Sequence, residues 1–125
     1  MFVLDSSVLI EVIEDLPRSE KVEDLLRGEP AVTTTICMHE VLAGADSDKR
    51  RFVLETLFSR MNVLEHTSEA ARRGARLEQD LSKKGSKINT NDVLIAGICL
   101  SQNATLITLD HDFKKIPNLN VITLG

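Results

Sequence analysis

Aromatic side chains are nearly absent from this sequence of 125 residues, which contains four phenylalanines and neither tryptophan nor tyrosine. Proteins that hold single-stranded nucleic acid commonly stack the bases on aromatic side chains. The sequence offers few such platforms, so we expect any nucleic acid to be held by other chemistry. The apolar fraction of 42% is that of an ordinary globular domain, and the core is expected to be built from aliphatic residues.

Cysteine is also scarce, since the sequence contains only Cys37 and Cys99. Both lie in apolar segments, and neither belongs to a pair or a Cys/His spacing typical of zinc sites, so we expect buried free thiols. No apolar run reaches the roughly 20 residues that span a bilayer. The first residues also lack the basic segment and long apolar run of a secretion signal. The sequence therefore predicts a cytoplasmic protein with no membrane segment.

Positive charge does not dominate, because the net charge is −4 and the isoelectric point is about 5.3. This balance disfavours a nucleic-acid-binding protein unless bound cations cancel some of the acids. Basic residues cluster at residues 49–51, 72–76 and 83–87. Such clusters are usually solvated surfaces, and the alternative is a rim that follows phosphates.

Short apolar runs alternate with helical patterns along the whole chain, which predicts one α/β domain over residues 1–125 with a parallel sheet covered on both faces. The predicted strands are residues 2–4, 31–36, 61–64, 105–109 and 121–123. Helices are predicted after residue 5, between Pro17 and Gly28, and over the following segments: residues 38–44, 48–58, 68–83 and 92–100.

Four carboxylates stand beside these apolar segments: Asp5, Glu40, Asp92 and Asp110. Ligands of open α/β sheets bind at the carboxyl ends of the strands, where Asp5 and Asp110 are expected. The helices that carry the other two acids would begin near the same edge. Acids gathered in one crevice repel each other, and Mg²⁺ or Mn²⁺ is the natural neutralising ion because hard cations prefer oxygen ligands. The set predicts metal-dependent hydrolysis of phosphodiesters.

Each acid taken alone also has a purely local interpretation. Asp5 and Asp92 could be helix caps, Asp110 a turn residue and Glu40 a surface acid. Asp112 could be a fifth ligand or another turn residue. Thr108 and Ser6 could support the site by hydrogen bonding to a ligand carboxylate or a metal-bound water. For Ser6, however, we expect helix capping to be the main role.

Four segments, taken in order, resemble the motifs of PIN-domain nucleases. They are residues 2–10, 35–44, 91–96 and 106–113, and they contain one acid of the set each. The small size of the chain makes it most similar to the VapC toxins of prokaryotic toxin–antitoxin pairs. Each motif alone is weak, but the ordered set is specific.

The resemblance implies a Rossmann-like PIN fold with three α/β/α layers, dependence on Mg²⁺ or Mn²⁺, and endoribonuclease activity on an RNA substrate. It also implies a homodimer and a VapB-type antitoxin that covers the active site. The implied metal site consists of Asp5, Glu40, Asp92 and Asp110, with Thr108 in support and Asp112 as a further acid. Position 91 varies in the family, so Asn91 gains no role.

Other functions remain open at this level. A PIN-like module could bind RNA or protein without cutting, but such a module would be expected to have lost some of the acids. A PIN nuclease acting in RNA processing would share every residue of the site. A phosphatase of the haloacid dehalogenase type is disfavoured because Ser7 stands where that family requires a second acid.

Overall fold

The computed structural model describes residues 1–125 and contains five short strands and six α-helices. The strands are β1 (Phe2–Leu4), β2 (Val32–Thr34), β3 (Asn62–Leu64), β4 (Thr105–Thr108) and β5 (Asn120–Thr123). The helices are α1 (Ser6–Ile13), α2 (Ser19–Leu26), α3 (Thr35–Ala43), α4 (Asp48–Ser59), α5 (Ser68–Lys83) and α6 (Thr90–Ser101). A 3₁₀-helix over His111–Lys115 lies between β4 and β5.

All five strands are parallel and lie in the order β3-β2-β1-β4-β5. The chain moves in one direction from β1 to β3, then returns to β4 on the other side of β1. Because crossovers between parallel strands are right-handed, α1 to α4 cover one face of the sheet, and α5 and α6 cover the other. The predicted three-layer α/β/α architecture is confirmed.

The central strands are buried, and the core is mainly aliphatic as expected, with Phe58 and Phe113 as its aromatic members. Val3 and Leu4 on β1 pair in register with Leu106 and Ile107 on β4, and all four residues are essentially inaccessible to solvent. Both cysteines are free and buried, and burial raises the pKa of each thiol to about 12. None of the helices combines the length and apolar character needed to cross a bilayer.

The predicted strand over residues 31–36 is wrong in its second half. Strand β2 ends at Thr34, and the Thr34 hydroxyl accepts a hydrogen bond of 3.1 Å from the backbone N–H of Cys37. This bond caps α3, so Thr35 and Ile36 are helical despite their β-branched side chains. Threonine favours both strands and helix caps, and here capping determines the boundary.

The predicted strand over residues 105–109 also ends early, because β4 stops at Thr108. Asp110 then caps the 3₁₀-helix that was expected to be only a turn. The prediction for residues 68–83 is confirmed at both ends, with Thr67 as the N-cap. That helix has the strongest apolar periodicity of the six, which explains why its bounds could be predicted accurately.

Helices α5 and α6 approach closely through two glycines. A Cβ added to Gly97 would lie 2.6 Å from the Ala70 carbonyl oxygen and 3.2 Å from the Gly74 nitrogen, both backbone atoms. A Cβ added to Gly74 would meet nothing closer than 3.6 Å. Only position 97 therefore requires glycine for the two helices to pack.

We predict that Gly97→Ala destabilises the protein by about 1–3 kcal/mol, because the two helices must move apart. Gly74→Ala is the matched control, since the space is available and alanine favours helix. It should be neutral or stabilising by up to about 1 kcal/mol. Urea unfolding of the two variants checks this prediction. Equal stabilities would contradict the packing described for α5 and α6.

Candidate active site

Asp5 lies at the carboxyl edge of the sheet, where β1 gives way to α1. Its backbone N–H donates to the carbonyl oxygen of Ile107 on β4 at 3.0 Å, which continues the ladder between the two central strands. Its side chain is buried and caps α1 by accepting a hydrogen bond of 2.8 Å from the backbone N–H of Ser6. The order in which strands are added to the sheet reverses between β1 and β4, and open α/β sheets bind ligands at such a point.

The Thr108 hydroxyl joins the ends of these two strands. It donates to Asp5 Oδ2 at 2.6 Å and accepts a hydrogen bond of 3.0 Å from the backbone N–H of Asp110. Thr108 is fully buried, so these bonds are shielded from water. One hydroxyl therefore orients the Asp5 carboxylate and fixes the backbone of a second acid.

Glu40 approaches the same place from α3. The Ser6 hydroxyl lies 3.2 Å from Glu40 Oε1 and 3.4 Å from Asp5 Oδ1, within donating distance of either carboxylate. Ser6 itself is the first residue of α1, and Asp5 is the cap. The expectation that Ser6 would act mainly as a cap is therefore wrong, and its hydroxyl links two acids from different elements.

Asp92 lies in the first turn of α6, whose N-cap is Asn89. Its pKa is raised from 3.8 to about 7, first by burial and then by the charges of four other carboxylates. In order of decreasing effect, these are Asp110, Asp5, Glu40 and Asp112. The charges of the other three predicted acids therefore all act on Asp92, although the four acids come from four different elements.

Asp110 and Asp112 differ in their surroundings. Asp110 is half-buried, and its Oδ1 accepts a hydrogen bond of 2.9 Å from the backbone N–H of Asp112. Asp112 is 54% exposed and forms an ion pair of 3.1 Å with Lys115. It also has the weakest effect among the four acids acting on Asp92. Asp112 lies at the rim of the acidic cluster.

Sequence reasoning missed two residues of the site. The Ser7 hydroxyl donates to Asp5 Oδ2 at 3.3 Å and accepts a hydrogen bond of 3.2 Å from the backbone N–H of Leu109. The sequence signal that could have identified Ser7 is a hydroxyl side chain two residues after an aspartate that caps a helix. Cys37 was expected to be a buried thiol, but its place beside Asp5, with Sγ 3.7 Å from Oδ1, was not foreseen.

The donor atoms suit a hard cation. Asp5, Cys37 and Glu40 each offer one atom within 4.8 Å of the others. Burial, and then the charge of Asp5, raises the pKa of the Cys37 thiol to about 12. The protonated thiol donates to Asp5 rather than acting as a thiolate ligand. The remaining donors are carboxylate oxygens, which Mg²⁺ and Mn²⁺ prefer.

Comparison with known proteins agrees with this geometry. The family model described as "PIN domain" matches residues 2–119. Ribonuclease VapC5 of Mycobacterium tuberculosis is 34% identical over 120 residues, which cover 91% of this chain and 86% of the relative. Ribonuclease VapC2 of Rickettsia felis is 28% identical over 126 residues, covering 95% and 94% of the two chains.

Solved structures are similar over nearly the whole chain. A chain from the crystal structure of VapBC2 of Rickettsia felis, bound to a DNA fragment from its promoter, superposes with a TM-score of 0.85 at 25% identity, covering 99% of this chain and 98% of that one. A chain from DNA-bound VapBC of Salmonella typhimurium gives a TM-score of 0.86, also at 25% identity, covering 98% and 96%. This chain therefore belongs to the PIN-domain family, as a ribonuclease of the VapC type.

Proposed function

We propose that this protein is the toxin of a VapBC-type pair and that it hydrolyses RNA at a Mg²⁺ or Mn²⁺ site formed by Asp5, Glu40, Asp92 and Asp110. The observation that carries this proposal is the hydrogen-bond network at the carboxyl edge of the sheet, in which the Ser6 and Thr108 hydroxyls join Asp5 to Glu40 and to the backbone of Asp110. The raised pKa of Asp92, caused by burial and then by the charges of the other acids, supports the same site. Carboxylates brought together at the switch point of a parallel sheet destabilise one another unless a cation joins them.

Asp5, Glu40 and Asp92 would have different roles in holding the metal. Asp5 is held rigidly by Ser6 and Thr108, so it would fix the position of the metal. Glu40 and Asp92 are partly exposed and would complete the ligand set from the two helical layers. A bound Mg²⁺ would polarise the phosphate and lower the pKa of a coordinated water.

Asp110 and Asp112 would have unequal roles. The Asp110 backbone is anchored to Thr108, so its carboxylate is a fourth metal ligand in this proposal. The Lys115 ammonium competes with any cation for Asp112. We therefore propose that the Asp112 carboxylate would contact a metal-bound water or the edge of the substrate, and that it would not bind the metal directly. His39 and His111 are exposed and take no part.

The proposed partners follow from the relatives. Several similar structures are named as VapBC complexes or toxin–antitoxin complexes, which supports a VapB-type antitoxin for this chain. The homodimer and the cytoplasmic location stay predictions. A non-catalytic module is the weaker candidate, because this chain retains all four acids.

We predict that Asp5→Asn and Asp92→Asn each reduce RNA cleavage more than about 100-fold. Loss of a residue that only hydrogen-bonds to a metal ligand already reduces metal affinity or activity by about 10- to 100-fold. Asp5 and Asp92 are proposed as direct ligands, so the effect should be larger. EDTA should abolish the activity, and added Mg²⁺ or Mn²⁺ should restore it. The measurement is cleavage of total RNA followed by mapping of the cut sites.

Asp24→Asn is the matched control, because Asp24 is an exposed acid on α2 outside the cluster. It should cleave at the wild-type rate. Full activity of Asp5→Asn or Asp92→Asn, or cleavage that persists in EDTA, would contradict the proposal.

The raised pKa of Asp92 predicts how pH affects the metal-free protein. The folded protein binds a proton at Asp92 up to about pH 7, whereas the ordinary pKa is 3.8. Between these values the folded state holds more protons than the unfolded state, so stability contributed by Asp92 is lost as pH rises through 7. Mg²⁺ should reverse this loss, because it binds the charged form.

Thermal unfolding in EDTA at a series of pH values checks this expectation against Asp92→Asn, which cannot titrate at that position. The variant should gain stability relative to wild type as pH rises from below to above about 7. A constant difference between the two proteins across that range would show that the pKa of Asp92 is not raised in the folded protein.

A further inference from the structure

A cavity of about 290 Å³ opens directly beside the acidic cluster. It shares Ser6 and Glu40 with the cluster and extends over Ile10, Val41 and Leu54 to Arg50. The apolar side chains form its wall, and Arg50 is the only basic residue that lines it. A ligand that extends from the acids into this cavity would therefore meet the Arg50 guanidinium.

Arg50 is held at the cavity by its place in α4. Its backbone N–H donates to the Ser47 hydroxyl, the N-cap of the helix, at 3.0 Å. Its side chain is 32% exposed and contacts the carboxylate of Glu14, which follows the last residue of α1. The guanidinium is therefore accessible, and its partner is itself 45% exposed.

RNA requires a positive group at this position. A substrate phosphate must approach four carboxylates in a chain whose net charge is −4. A bound metal would attract the scissile phosphate, but the next phosphate of the strand lies outside the metal site and would still be near the acids. Arginine suits that phosphate, because its planar fork can form two parallel hydrogen bonds to phosphate oxygens.

We propose that Arg50 binds the phosphate adjacent to the scissile one and that Glu14 occupies the guanidinium until RNA displaces it. This inference rests on the proposed ribonuclease function and adds a substrate-positioning residue to it. Ion pairs between partly exposed groups are weak, so the phosphate can replace the glutamate at little cost. Glu14 acts as a built-in competitor of the substrate.

RNA is favoured over an acidic peptide as the occupant of the cavity. The cavity is continuous with Glu40 and Ser6, so whatever fills it also lies against the acidic cluster. A nucleic-acid strand supplies one phosphate to the metal and the next to the arginine. An acidic peptide could pair a carboxylate with Arg50, but it would offer no phosphate to a metal ion at the acidic cluster.

The test compares Arg50→Gln and Glu14→Gln with the control Arg51→Gln. Arg51 is the neighbouring exposed arginine of α4 and does not line the cavity. Affinity is measured by fluorescence anisotropy with a short fluorescein-labelled oligoribonucleotide of mixed sequence. Ca²⁺ replaces Mg²⁺ in this assay, since it also takes oxygen ligands. The assay is repeated over a range of salt concentrations, and KM and kcat are measured separately in Mg²⁺.

Arg50→Gln should weaken RNA binding by about tenfold or more, as expected for one lost charge-assisted contact. It should also reduce the slope of log affinity against log salt by about 0.7, the value for one phosphate on a single strand. Glu14→Gln should bind RNA more tightly and lower KM. Arg50→Lys should keep the salt slope. Arg51→Gln should behave as wild type in both measurements.

A merely structural ion pair predicts a different pattern. Both Arg50→Gln and Glu14→Gln would then lower the thermal midpoint and leave the salt slope unchanged, which would overturn the proposal. Unchanged RNA affinity in Arg50→Gln, together with weaker binding of a fluorescein-labelled acidic peptide, would also overturn it and assign Arg50 to a protein partner.

The two proposals fail in distinguishable ways. If wild-type protein does not cleave RNA, the ribonuclease proposal fails, whereas the binding assay still decides the role of Arg50. If cleavage depends on Asp5 and Asp92 but is unaffected in KM by Arg50→Gln, only the inference about Arg50 fails.

Discussion

Repulsion between like charges is the constraint on which this site depends. Burial, and then the charges of four other carboxylates, raises the pKa of Asp92 to about 7. The fold tolerates this arrangement by supplying hydrogen-bond donors to the most buried acid, Asp5, from Thr108, Ser6 and Ser7. These donors orient the carboxylate but do not remove the charge of the cluster. A divalent cation at the centre would do so, and the repulsion is what makes such a cation bind.

The topology explains how distant residues reach one place. Strands β1 and β4 are neighbours although a hundred residues separate them in sequence, and their carboxyl ends provide Asp5, Thr108 and the backbone of Asp110. The helices on the two faces each add one acid, Glu40 from α3 and Asp92 from α6. The proposed site would therefore be assembled by all three layers of the fold. The cavity that leads to Arg50 continues from it along α1, α3 and α4.

Much of the proposed site could be predicted from the sequence, because the acids stand beside apolar runs and parallel strands end at one edge. The helix over residues 68–83 was predicted correctly since its apolar residues recur at helical spacing. The bonds from Thr108 and Ser7 depend on how β1 and β4 align, which no local pattern records. Thr34 is both the last paired residue of β2 and the N-cap of α3, so β2 ends where its side chain caps the helix. Arg50 belongs to a basic cluster that, in the sequence, resembles an ordinary solvated surface. Only the three-dimensional structure shows that it lines a cavity.

The most direct test of the central claim is the anomalous diffraction of a crystal saturated with Mn²⁺, collected at the manganese absorption edge. We expect a peak between Asp5, Glu40, Asp92 and Asp110, with carboxylate oxygens at about 2.1 Å, the distance typical of a small hard cation. A peak confined to other surface acids, or none at the cluster, would contradict the assignment of these four residues to a shared metal site.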